Sequence, residues 1–238
     1  MKTVLINGGS RGIGRATVEY FSAKGYAVAF TYKNSEDEAL ALAARTGALA
    51  IRADSATEDD VIRAVKTAID AFSHIDVLVN NAAISSFSVF TDISLAEWEN
   101  IFRVNVNGPF LFCREVLPYM ISRKSGAIVN VSSVWGLVGS SCEVHYSTTK
   151  AALIGMTRAL AKEVGPSSVR VNAIAPGVIM TEMNSALNED DLSALAEETP
   201  LCRLGTPEEI AKAIYFLSSD ESAFITGEVL NASGGFVI

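Results

Sequence analysis

The chain has 238 residues, 49% of them apolar, enough for one large hydrophobic core. Its 27 acidic and 19 basic side chains leave a net charge of −8, which argues against a broad nucleic-acid or anionic-membrane surface. Cys113, Cys142 and Cys202 are odd in number and widely spaced, without a Cys-x-x-Cys or Cys/His cluster, so reduced cytoplasmic thiols are expected and bound metal is not.

The opening "MKTVLINGG" has too short an apolar run for a signal peptide, and no stretch approaches the roughly 20 apolar residues of a membrane span. Short β-branched runs predict strands at 3–6, 27–32, 48–52, 76–80, 127–132, 169–174 and 228–232. Between them, segments such as 57–72, 96–122 and 147–164 repeat with a period near 3.6 and predict helices. Strands apolar on both faces and separated by helices imply a parallel sheet covered on both sides. The expected fold is therefore a single α/β domain over 1–238, doubly wound. Ligands of such sheets bind outside the carboxyl ends of the strands.

After the first strand comes "NGGSRGIG" (7–14), opening a helix. Gly8, Gly12 and Gly14 allow a tight turn close to a phosphate, with Ser10, Arg11 and Ile13 between them, and the helix start offers free N–H groups. A glycine-rich turn without ligand is the alternative. At the end of the second strand stand Tyr32 and Lys33, with no acid before Glu36. Two cations, Arg11 and Lys33, and no carboxylate suit a 2′-phosphate and hence NADP(H) over NAD(H), unless both are plain surface charges. Asp54 ends the third strand, either at an adenine edge or as a cap for the helix opened by Thr57 and Glu58. The fourth strand runs into "NNAAI", where Asn81 and Ala82 suit close approach by a flat ligand or form an ordinary turn. The fifth ends in Ser132 and Ser133. Thirteen residues after Ser133 comes Tyr146, followed at i+4 by Lys150. The sixth is followed by Pro176, Gly177, Ile179 and Thr181 at the same edge.

A Tyr–Lys pair at this spacing says little alone, since Tyr20 and Lys24 repeat it. Tyr146 and Lys150 differ in opening a helix at the edge where the glycine loop lies. A tyrosine titrates near 10, so proton exchange at pH 7 needs a shift of about three units, roughly 4 kcal/mol. One ammonium about 4 Å away supplies energy of that order, and Lys150 shares the helical face of Tyr146. Ser133 is placed to hydrogen-bond a carbonyl oxygen beside Tyr146. Asn105 is a poor helix former inside a helix whose start is expected near Leu95; a surface or capping side chain is its bland reading.

With Gly8, Gly12, Gly14, "NNA" at 80–82, Asn105, Ser133, Tyr146, Lys150, "PGVIMT" at 176–181 and "TGEVLNASGG" at 226–235, the chain resembles the short-chain dehydrogenase/reductase family over essentially its full length. The resemblance implies a Rossmann-type fold, a nicotinamide cofactor, a catalytic set of Asn105, Ser133, Tyr146 and Lys150, and a homo-oligomer, commonly a tetramer. It gives Asn105 the role of anchoring a water that links Lys150 to solvent. "GGSRGIG", "HIDVLVNNA" and "RVNAIAPGVIMTEM" are most similar to bacterial 3-oxoacyl-[acyl-carrier-protein] reductases of fatty acid biosynthesis. The implied reaction is NADPH-dependent reduction of a ketone to a secondary alcohol. The same framework is shared with sugar, steroid and small-alcohol dehydrogenases. A dinucleotide-sensing protein without turnover is a further reading, which the intact four-residue set opposes. Enoyl reduction is opposed by the i, i+4 spacing, which is wider in the related motif.

Three departures stand out. Asn7 replaces the usual Thr before the glycines, Ala83 the Gly of Asn-Asn-Ala-Gly, and Ser167 an expected basic residue. Arg123 and Lys124 are left as the basic residues to meet an acidic carrier protein. His145, beside Tyr146, is expected either to line the substrate pocket or to lie at the surface. His74 reads as a turn residue, and Trp98, Trp135 and Phe110 as packing. Residues 184–200, polar and acidic with a helical pattern, read as a lid over the substrate or as a surface helix.

Overall fold

The computed structural model of the chain describes residues 1–182 and 188–237. Strands β1 (Thr3–Asn7), β2 (Ala27–Tyr32), β3 (Leu49–Arg52), β4 (Val77–Asn80), β5 (Gly126–Val131), β6 (Val169–Pro176) and β7 (Val229–Ala232) form one sheet. Their order is β3-β2-β1-β4-β5-β6-β7, and every neighbouring pair is parallel. All seven runs of β-branched residues became strands, with ends shifted by a residue or two.

Helices α1 (Gly12–Ala23), α2 (Glu36–Thr46), α3 (Glu58–Phe72), α4 (Leu95–Phe102), α5 (Gly108–Arg123), the short α6 (Trp135–Val138), α7 (Val144–Val164), α8 (Glu189–Glu198) and α9 (Pro207–Ser218) complete the described fold. Strand alternation divides the core between two faces. On β1, Leu5 joins Val61, Val65, Phe112, Val116 and Val164 from α3, α5 and α7. Its neighbours Val4 and Ile6 turn the other way, towards Val18, Phe21, Leu42, Ile210 and Ile214 of α1, α2 and α9. A strand that must be apolar on both sides reads as an unbroken hydrophobic run, which is why the sequence marked it. None of the helices within the described residues is long and apolar enough to cross a membrane.

From β1 the chain winds outward to β2 and β3, then restarts at β4 on the other side of β1. That reversal opens a crevice above the carboxyl ends of β1 and β4. The segment 96–122, expected as one helix, is instead two: α4 and α5 are separated by a wider, π-type turn at Arg103–Asn107. Such a turn inserts a residue into the helix and redirects a side chain, here that of Asn105. Residues 184–187 of the expected lid lie outside the described residues. Its remainder contains α8, started by a reciprocal cap between Asn188 and Asp191 and carrying no buried residue of its own.

Candidate active site

The loops after β1 and β4 are lashed together at the crevice. The Ala82 N–H donates to Asn7 O at 2.8 Å and Asn81 Nδ2 to Gly8 O at 2.6 Å. Gly8 has φ +79°, and a Cβ there would stand 2.7 Å from the Ala82 Cα, so only glycine fits. At Gly14 a Cβ would fall 1.9 Å from Gly8 O, so α1 could not approach the loop with any side chain. No side chain caps α1 at Arg11 and no acid lies in its first turn, which leaves its N–H groups facing the crevice. Asn7 itself is buried, its Oδ1 accepting from Thr31 at 3.1 Å and Ser55 at 2.5 Å.

Above lies a cleft of about 550 Å³ whose lining includes Ser10, Arg11, Gly12, Ile13, Asn81 and Ala82. Tyr32, Lys33, Asp54 and Thr181 line the same cleft. An uncapped helix start, a glycine cradle and a cleft of this size fit a dinucleotide. Arg11 is exposed, but Lys33 is not a free cation: its Nζ pairs with Asp54 Oδ2 at 2.7 Å. Burial would raise the Asp54 carboxyl, yet the Lys33 ammonium and the Ala56 N–H outweigh it and hold its pKa below the usual value. Asp54 caps its own turn through Ala56; the residue at the α3 cap is Thr57. Pro176 closes β6, Gly177 donates to Ala232 O at 3.1 Å, and Ile179 is buried beside a bridge to Gly205.

The second half of the site is built on β5 and α7. Ser132 Oγ donates to Lys150 O at 2.8 Å, holding α7 to the end of β5. Ser133 follows, its Oγ accepting the Trp135 N–H at 3.2 Å. Tyr146 and Lys150 are both buried in the first turns of α7. The Lys150 ammonium, 2% exposed, donates to Val131 O at 2.9 Å and lies 5.5 Å from the Tyr146 ring centre. Burial lowers the Lys150 pKa from 10.5 to about 7. Burial also pushes the Tyr146 phenol up, Glu143 adds to the rise, and a contact with the Ser133 hydroxyl opposes it.

Comparison with known proteins places this geometry. A family model described as enoyl-(acyl carrier protein) reductase matches residues 8–237. The chain is 40% identical over 239 residues to the 3-oxoacyl-[acyl-carrier-protein] reductase FabG of Aquifex aeolicus, covering 98% of this chain and 96% of that one. It is also 40% identical over 243 residues to a 3-oxoacyl-[acyl-carrier-protein] reductase of Synechocystis, covering 100% and 97%. The chain belongs to the short-chain dehydrogenase/reductase family. Among solved structures, one titled short-chain dehydrogenase/reductase SDR:glucose/ribitol dehydrogenase from Brucella melitensis superposes with a TM-score of 0.94 at 35% identity, over 100% of this chain and 97% of that one. A variant short-chain dehydrogenase/reductase from Serratia marcescens gives 0.92 at 34% identity, over 99% and 97%. Membership makes the chain an oxidoreductase and implies a nicotinamide dinucleotide cofactor.

Several expectations need correction. Beside the downward pull on the Tyr146 phenol expected of Lys150 stands an opposing influence: burial raises the phenol, and the Lys150 Nζ donates to Val131 O. Asn105 is neither a surface nor a capping residue. It is fully buried; its Oδ1 accepts the Ile84 N–H at 2.9 Å and its Nδ2 donates to Ile84 O at 2.9 Å and Thr149 Oγ1 at 3.1 Å. Both amide donors are thus engaged in bracing the β4 loop against α7. His145 does not line an open pocket: it is 0% exposed, its Nε2 2.6 Å from Ser86 Oγ. Arg123 and Lys124 end α5 at the amino edge of the sheet, opposite the site, where Arg123 pairs with Asp76 at 3.1 Å. Thr149, Ser86 and Glu143 went unnoticed in the sequence. Thr149 lies at i+3 from Tyr146, a signal that could have found it.

Proposed function

We propose that the chain reduces the ketone of a 3-oxoacyl thioester, carried on acyl-carrier protein, to the secondary alcohol with NADPH. The observation that carries this reading is the burial of Tyr146 and Lys150 beside Ser133, next to the glycine cleft. When bound, the nicotinamide supplies the hydride and, once oxidised, a positive charge. In this reading Gly8, Ser10, Gly12, Ile13, Gly14, Asn81, Ala82, Pro176, Gly177, Ile179 and Thr181 bind the cofactor, with Asp54 at the adenine. Ser133 positions the carbonyl oxygen, and the Tyr146 O–H gives that oxygen its proton as charge develops there. Lys150, with a pKa near neutrality, can take and release a proton beside Tyr146. The amide of Asn105 keeps α7 and the β4 loop at fixed separation.

NADPH is favoured because β2 ends in Tyr32 and Lys33, and Arg11 is exposed in the same cleft. The Lys33–Asp54 pair does not oppose this. Its members are 58% and 26% exposed, and pairs of that kind are worth roughly 0–1 kcal/mol, so a 2′-phosphate can draw Lys33 away. Leu137 and Val138, exposed just past Ser133, suit an acyl chain better than a sugar. Exposed Leu95, Phe110 and Tyr119 on α4 and α5 support a homotetramer, and three free cysteines support the cytoplasm.

The test is NADPH oxidation with an acetoacetyl thioester beside sugars, steroids and simple ketones, repeated with NADH. Tyr146→Phe is expected to lower thioester turnover about 10³-fold with NADPH binding retained. Unchanged turnover in that variant would refute the assignment.

A further inference from the structure

The segment after β4 is held to α7 at two levels. Asn105 fixes Ile84 at one of them. At the other, Ser85 Oγ donates to Glu143 Oε1 at 2.8 Å, the Ser88 N–H donates to Cys142 O at 2.8 Å, and Ser86 Oγ meets His145 Nε2 at 2.6 Å. Of these contacts, the one through His145 adjoins Tyr146 directly. A wholly buried imidazole needs hydrogen bonds, yet Nδ1 of His145 finds no partner among the described residues. A bare acceptor is tolerated better than a bare donor. That asymmetry favours the tautomer with its proton on Nε2, donated to Ser86 in the ring's one hydrogen bond among the described residues. In the clamped segment Ser85 and Ser88 are half-buried, while Ser86, Phe87 and Val89 are exposed.

We propose that His145 is a positioning residue that selects substrate: bonded to Ser86, it fixes the apolar edge of Phe87 and Val89 beside the Tyr146 phenol. It touches neither the reacting carbonyl nor the cofactor. The proposal rests on the reading of Tyr146 as the acid, and it assigns the apolar substituent of the ketone to that edge.

The experiment compares four variants of the full chain with NADPH and an acetoacetyl thioester. His145→Gln places an amide nitrogen near the Nε2 position and keeps the donor to Ser86; His145→Asn reaches only the Nδ1 position. Ser86→Ala removes the acceptor, and the fourth variant combines Ser86→Ala with His145→Asn. His145→Asn and Ser86→Ala are each expected to raise KM about tenfold with kcat within about threefold, and the double variant to be no worse than either. His145→Gln stays within about twofold of the parent, and NADPH binding by fluorescence is unchanged in all four. Amide hydrogen exchange over 84–88 quickens in every variant except His145→Gln. Parental KM in Ser86→Ala, additive effects in the double variant, or identical behaviour of His145→Gln and His145→Asn would each overturn the proposal. Ser86 is exposed, so Ser86→Ala remains a fair test if a His145 variant fails to fold. A parent that turns over no thioester fails the reaction reading instead, and the exchange measurement still tests the clamp.

Discussion

Two tyrosine–lysine pairs with the same spacing stand on two helices of this molecule. On α1, the Lys24 ammonium lies 5.3 Å from the Tyr20 ring centre; on α7, that of Lys150 lies 5.5 Å from Tyr146. The local geometry is nearly the same, and the surroundings are not. Lys24 is the exposed residue that ends α1, and it also faces Tyr215 at 5.5 Å, a surface cation–π contact worth roughly 0.5–1 kcal/mol. Lys150 is stripped of water, bonded to Val131 O, and brought down to about 7. Spacing puts an ammonium over a ring; burial at the carboxyl edge of the sheet is what sets the second pair apart, and in the proposed reading makes it the acid–base pair.

The largest contrast is in turnover. Tyr146→Phe costs about 10³-fold, whereas Tyr20→Phe, which keeps the ring beneath Lys24, leaves turnover within about twofold. Equal losses in the two variants would erase the distinction drawn from burial.

The lysines should separate in stability. The folded pKa of Lys150, about 7, lies below its ordinary 10.5, so burial of the ammonium costs stability at and below pH 7. That cost fades as pH rises from 7 towards 10.5, where the unfolded chain loses the same proton. Lys150→Met should therefore be inactive yet more stable than the parent at pH 6, by about 2 kcal/mol, with the gain shrinking by pH 9. Lys24→Met removes only a surface cation and should change Tm little at either pH. Thermal melts of both variants at the two pH values decide it; a gain for Lys150→Met that does not vary with pH would break the comparison.

Much of this was legible in the sequence for a physical reason. The strands of a doubly covered sheet are unbroken apolar runs, and Gly8 and Gly14 stand where no side chain has room. Position at the strand ends also separated Tyr146 from Tyr20. What escaped reading depends on contacts between residues far apart in the chain. Asn105 bonds Ile84 across 21 positions, His145 meets Ser86 across 59, and Lys150 finds a main-chain carbonyl 19 residues back. No local pattern encodes these choices. The π-type turn was hidden likewise, because its neighbours have ordinary helical periodicity and only the buried amide of Asn105 shows why the helix widens.

The smallest effect probes the field around the phenol. Burial raises the Tyr146 pKa first, and the negative charge of Glu143 raises it further. Ketone reduction needs the protonated phenol, so its rate falls as pH rises through that pKa; oxidation of the alcohol needs the phenolate and rises over the same range. Glu143→Gln removes the charge while its side-chain oxygen can still accept from Ser85. Both limbs should then move to lower pH, by about half a unit, or ~0.7 kcal/mol. Glu19 provides the matching control beside Tyr20, where it pairs with Arg45 on the surface; Glu19→Gln should leave both limbs in place. A Glu143→Gln limb that stayed put would mean that desolvation alone sets the phenol, and that Glu143 serves the loop and not the proton.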